Sequence, residues 1–122
     1  MTNPFRDQEK FMKACGQSVD AFNADQYRLY RDLISEEVGE LNAAVAQRDQ
    51  IEELDALIDI LVVTIGAIHS MGADAEGAWK EVMNTNFAKI DSETGKVRKR
   101  EDGKVLKPVG WVPPELAPFV SK

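Results

Sequence analysis

The stretch ISEEVGEL, residues 34–41, places Glu36, Glu37 and Glu40 inside an otherwise apolar helical pattern. With Ile34 as zero and about 100° per residue, Val38, Leu41 and Val45 fall within roughly 40° of it, forming an apolar seam. Glu37 falls inside the apolar arc, Glu40 at its edge and Glu36 just beyond. Surface helices normally keep their acids on the opposite face, so these acids point toward a partner helix. The stretch IEELDALIDILVVTIGAI, residues 51–68, repeats the theme. Glu52, Asp55 and Asp59 share one narrow strip of an otherwise apolar helix, at spacings i, i+3 and i+7. Gly66 falls in the same strip, where a missing side chain leaves room. Like charges on a buried strip repel one another and lose hydration, so something must neutralise them.

Two inward-facing acidic strips on adjacent helices make a carboxylate box. Oxygen-only donors suit hard divalent cations, and Mg2+ uses a few carboxylates together with substrate phosphates. A soft-metal site is excluded, because the chain has one Cys and one His. The competing account is that Lys and Arg pair with these acids as structural salt bridges. The two helices offer only Arg28, Arg31 and Arg48 for that role, mostly off the acidic sectors.

Composition narrows the class. The 122 residues suffice for one domain, and 43% apolar with 30% charged residues is typical of a globular protein. Fifteen basic against 21 acidic residues leave a net charge of -6, which argues against general nucleic-acid binding. Cys15 stands alone, so no intrachain disulfide forms. The N-terminal MTNPFRDQEKFMKACGQ is amphipathic and mixed in charge, unlike a signal peptide. The apolar run Ile60 to Ile68 is too short to span a bilayer. A cytoplasmic protein without membrane contact is expected.

The elements that must position the acids are four helices. The periodicity predicts them at about 4–22, 25–48, 51–71 and 74–90, an all-α four-helix bundle. The third is apolar on so many sides that it should be buried nearly all round, and four helices of one small chain cannot cover it. A homodimer or dimer of dimers, with the active site near the subunit interface, follows. Cys15 reads as a small core residue and His69 as a satisfied histidine. One domain spans 1–122, with a helical core over 1–92 and a short irregular or hairpin tail over 93–122. Within the tail, KVRKREDGKVLK reads as a hairpin with a two-residue turn, and Trp111, Val112 and Leu116 suggest that it docks.

EEVGEL followed by EELD resembles the EExxE and ExxD signature of the all-α nucleoside triphosphate pyrophosphohydrolases, the MazG-like group that includes the dimeric dUTPases and phosphoribosyl-ATP pyrophosphohydrolase. FMKACGQ, DALIDILVVTIGAI and NTNFAKID are similar to further segments of that group in the same order, and REDGKVLKPVGWVPPEL to the C-terminal motif of a small phage and bacterial subgroup. The resemblance implies that Glu37, Glu40, Glu52 and Asp55 hold Mg2+, with Mn2+ a substitute and Asp59 an equal fit for the last acid. It implies that Glu36 orients or deprotonates the attacking water, with Glu37 beside it. The products would be a nucleoside monophosphate and pyrophosphate, in nucleotide-pool house-cleaning. Lys89, with Arg98 or Lys104 from the tail, would supply positive charge to phosphates. Asn86 would bind sugar or phosphate, and Gln17 and Trp111 the base. Phosphoribosyl-ATP hydrolysis and a non-catalytic helical interaction module are the rival readings.

Overall fold

The computed structural model describes residues 2–120. Four helices run in order: α1 (Pro4–Ala14), α2 (Ala24–Ala46), α3 (Gln50–Ser70) and α4 (Ala75–Phe87), followed by a 3-10 turn at Ala117–Phe119. Among the described residues there are two isolated antiparallel bridges and no longer strand. The all-α class with four helices is therefore as expected from the periodicity. The chain divides into two compact units, the first extending through Ala75 and the second Glu76–Phe119. The division falls inside α4 rather than at residues 92–93, because the tail packs on the helix that precedes it.

In the first unit α3 packs against both α2 and α1. Side chains start each helix: Asn3 accepts from the Phe5 and Arg6 amides, Asn23 from Gln26 and Asp49 from Glu52. Helix α1 stops eight residues short of the expected Phe22. Gly16, at φ 77°, takes the left-handed position, and the amides of Gly16 and Gln17 return to the carbonyls of Lys13 and Met12. The apolar period continues to Val19, which packs on the core from a non-helical segment. Cys15, expected in the core, is exposed because it caps the helix instead.

The link between α2 and α3 has the same closure without a glycine. The Arg48 amide donates to Val45 O and the Asp49 amide to Ala44 O, both at 3.1 Å. Arg48 sits at φ 55°, a conformation that a Cβ disfavours. Arg48→Gly is expected to stabilise the fold by about 0.5–1 kcal/mol, readable as a higher denaturant midpoint at unchanged slope. A lower midpoint would mean that the arginine side chain makes a contact worth more than the backbone strain.

The core of the hairpin is Met12, Tyr30, Val63 and Ala67, with Val19, Tyr27, Leu33 and Ile34 packed on it. Gly66 does leave room, but for Tyr30 rather than for the acids. A Cβ at Gly66 would lie 2.3 Å from the Tyr30 ring. That ring is 5% exposed and its hydroxyl donates to Gln17 Oε1 at 2.6 Å, so it has nowhere to retreat. Gly66→Ala is expected to cost about 2–3 kcal/mol through overpacking. Thermal melting tests this, and an unchanged midpoint would mean that the helices separate freely.

Buried polar groups close the other end of the hairpin. Gln26 donates to Ser18 O and Ser70 Oγ at 2.7 and 2.8 Å and accepts from the Ser18 amide. His69, buried at the end of α3, hydrogen-bonds Phe5 O at 2.8 Å. It is the satisfied histidine expected. The third helix departs from expectation on one side: Ile51, Leu54, Leu57, Ile58 and Leu61 are exposed in the single chain.

Candidate active site

A three-residue link joins α2 to α3, and the two helices pack along one another as an antiparallel hairpin. That packing brings Glu37 and Glu40 of α2 within electrostatic reach of Asp59 of α3. Burial pushes the Glu37 carboxyl up to about 7, helped first by the neighbouring Glu40 carboxyl and then by the charges of Asp59 and Glu36. The Asp59 carboxyl is also raised, by burial first and then by Asp55 and Glu40. Five of the six sequence-selected acids thus act on one another.

Glu52 is the exception. It is exposed on the first turn of α3 and is not among the charges acting on Glu37 or Asp59. Asp55 and Asp59, between which the sequence left a choice, both belong to the interacting set.

Glu37 Oε2 is shielded from solvent and has no hydrogen-bond donor. Among the described residues no Lys or Arg pairs with Glu36, Glu37, Glu40, Asp55 or Asp59; the ion pairs present are Lys13–Glu9, Arg28–Asp25 and Arg100–Asp102. The salt-bridge account of these acids therefore has no partners. An orphaned, shielded carboxylate oxygen in an all-oxygen donor set fits a hard divalent cation. Among the described residues no three acids converge into a ready-made cage. Closing one takes side-chain rotation, which the exposure of Glu40 and Asp55 permits.

The second unit holds most of the other candidates. Lys89 Nζ donates to Asn86 Oδ1 at 3.1 Å and lies 4.9 Å from the centroid of the Trp111 ring. Lys107 Nζ lies 5.0 Å from the same centroid, and Trp111 Nε1 donates to Thr85 O at 2.7 Å. The tail docks on α4, as Trp111 suggested. Lys89 and Arg98 line a cavity of about 340 Å3 with Ile90, Leu106 and Val109. Lys104 does not line it. It sits in the tail hairpin, where the Arg100 amide donates to its carbonyl at 2.7 Å. That hairpin turns through Glu101, Asp102 and Gly103, with Gly103 at φ 90°, a three-residue turn in place of the two expected. Gln17 belongs to the first unit, where the Tyr30 hydroxyl donates to it. The place of Lys107 beside Trp111 is not legible in the sequence, where it is one of six basic residues in a charged run. The spacing to a tryptophan four residues on was its only signal.

The fold and the site together define an all-helical chain with a carboxylate cluster on a helical hairpin. Residues 9–86 match the phosphoribosyl-ATP pyrophosphohydrolase family (PRA-PH). The match covers more than half of the chain, and the chain belongs to this family. It is an all-helical family of enzymes acting on nucleotide phosphoanhydrides and is related to the MazG-like superfamily. Comparison with curated proteins finds no match. No single helix among the described residues is long and apolar enough to cross a membrane.

Proposed function

We propose that the protein hydrolyses a (deoxy)nucleoside triphosphate between its α- and β-phosphates, releasing pyrophosphate. The observation that carries this reading is the shielded, unpaired Glu37 oxygen within a carboxylate cluster that no cationic side chain neutralises. Glu37, Glu40, Asp55 and Asp59 would hold Mg2+ or Mn2+, with Glu52 one turn before Asp55 on α3. When bound, the ion offsets charge on the phosphates and lowers the pKa of its water. Glu36 is at the margin of the cluster and exposed, where it can take a proton from an attacking water. Lys89 and Arg98 bring phosphate-binding charge on the second unit, and Asn86 orients Lys89. The chain is proposed to work as a homodimer or dimer of dimers in the cytoplasm.

Phosphoribosyl-ATP is the second reading, favoured by the family that residues 9–86 match. Against it stands the tail, outside the matched residues, whose REDGKVLKPVGWVPPEL resembles the MazG-like nucleotide-pool subgroup. A panel of nucleoside triphosphates together with phosphoribosyl-ATP, assayed for pyrophosphate and orthophosphate with and without Mg2+ or Mn2+, separates the two. Pyrophosphate from a triphosphate supports the first reading and pyrophosphate from phosphoribosyl-ATP alone the second. Orthophosphate as the only product would defeat both.

A further inference from the structure

We infer that Trp111 is a positioning residue for Lys89, holding its side chain in place without an acidic partner so that it can bind a phosphoanhydride. The inference rests on the phosphate-binding role proposed for Lys89 and adds a mechanism for it. Lys89 is half-buried, yet among the described residues its contacts are two neutral groups, the Asn86 amide oxygen at 3.1 Å and the Trp111 ring at 4.9 Å. A carboxylate in either place would hold the lysine more strongly but would cancel the charge that an incoming phosphate needs. A π face and an amide oxygen restrict the ammonium while leaving its positive charge available. The ring is itself anchored: Trp111 Nε1 donates to Thr85 O at 2.7 Å, one turn before Lys89 on the α4 side.

The same ring carries Lys107 at 5.0 Å, so two like charges share one aromatic system. Such an arrangement is costly without an anion and favourable with one. Arg98 lines the cavity that Lys89 lines and is exposed, with no ion-pair partner among the described residues. Of the acids near in sequence, Glu93 and Glu101 are exposed without an ion pair to either base, Asp91 also lines the cavity, and two are engaged. Asp91 Oδ1 accepts the amides of Glu93 and Thr94, and Asp102 pairs with Arg100. The ligand class that this chemistry selects is a di- or triphosphate group.

The test is binding of inorganic pyrophosphate to the full chain without metal, by calorimetry, in a cycle of Trp111→Leu, Lys89→Met and the double variant. Trp111→Phe serves as the conservative variant, and a thermal melt of each variant checks folding. Trp111→Leu is expected to weaken binding about three- to tenfold, the size of one cation–π contact. In the Lys89→Met background it should cost clearly less, because only the Lys107 contact then remains on the ring. Trp111→Phe, which keeps a π face, should recover most of the affinity. An equal loss from Trp111→Leu with and without Lys89 would overturn the inference, since Trp111 would then act independently of it. No pyrophosphate binding by the wild type would overturn it too. Turnover does not enter the measurement, so absence of nucleotide hydrolysis would count against the proposed function and leave this result standing on its own.

Discussion

Glu37→Gln is expected to lower pyrophosphate release by at least about 100-fold while leaving the metal-free protein as stable as the wild type or more so. Loss of groups that merely support a ligand costs about 10–100-fold, and removal of a ligand should exceed that. The stability half of the expectation follows from the cluster. Glu37 sits among Glu36, Glu40 and Asp59, and its carboxyl is raised to about 7 from the usual 4.5, by burial first and then by those neighbours. The raised value means that the folded chain holds a proton that the unfolded chain has released. Stability from this group is therefore complete below about pH 4.5 and declines as pH rises toward 7. The amide cannot ionise, so the variant should lack that part of the decline and overtake the wild type in neutral solution without metal.

Divalent metal reverses the comparison. A cation needs the carboxylate ionised, so Mg2+ should raise the wild-type melting temperature more at pH 8 than at pH 6. The Glu37→Gln variant should respond weakly at either pH. Glu36→Gln should differ again, losing turnover while retaining the Mg2+-induced shift, as suits a base outside the ligand set. Melts of the three proteins at both pH values, with and without Mg2+, decide the matter. Loss of metal-free stability in Glu37→Gln with activity kept would return Glu37 to a structural role.

Helical periodicity made α2, α3 and their acidic strips legible, because an apolar arc interrupted by acids has few physical explanations. It left open which acid faces which. That depends on the register of the hairpin, set by the Arg48 closure that no sequence period encodes. In the folded hairpin the charge of Asp59 acts on Glu37 while Glu52 stays exposed and outside that set, so a strip that looks uniform on one helix divides between site and surface. The periodicity overruns the end of α1 because Val19 keeps the apolar period after Gly16 has ended the helix. The sequence shows Gly66 as a vacancy, but the Tyr30 ring that fills it comes from another helix. The Lys89–Trp111–Lys107 contact joins residues of α4's end and the tail, and only the docking of that tail brings them together.

The exposed side of α3 carries the last prediction. Ile51, Leu54, Ile58 and Leu61 recur at near-heptad spacing, and they are 81%, 62%, 50% and 58% exposed in the single chain. Contiguous apolar stripes of this kind mark interfaces. A second copy of the same helix is the proposed partner, since a two-fold contact sets like residues against like. Leu54→Glu with Ile58→Glu would then bring acid against acid across the axis, at a cost of several kcal/mol. The double variant is expected to scatter light as a 13.6 kDa monomer under conditions where the wild type shows a multiple of that mass. Its melting temperature should also lose any dependence on protein concentration. A wild type already monomeric at micromolar concentration would sink the proposal. An oligomer that survives both substitutions would place the interface on another face. The α3 stripe would then be left in water without a physical reason, because neither substituted residue is packed in the isolated chain.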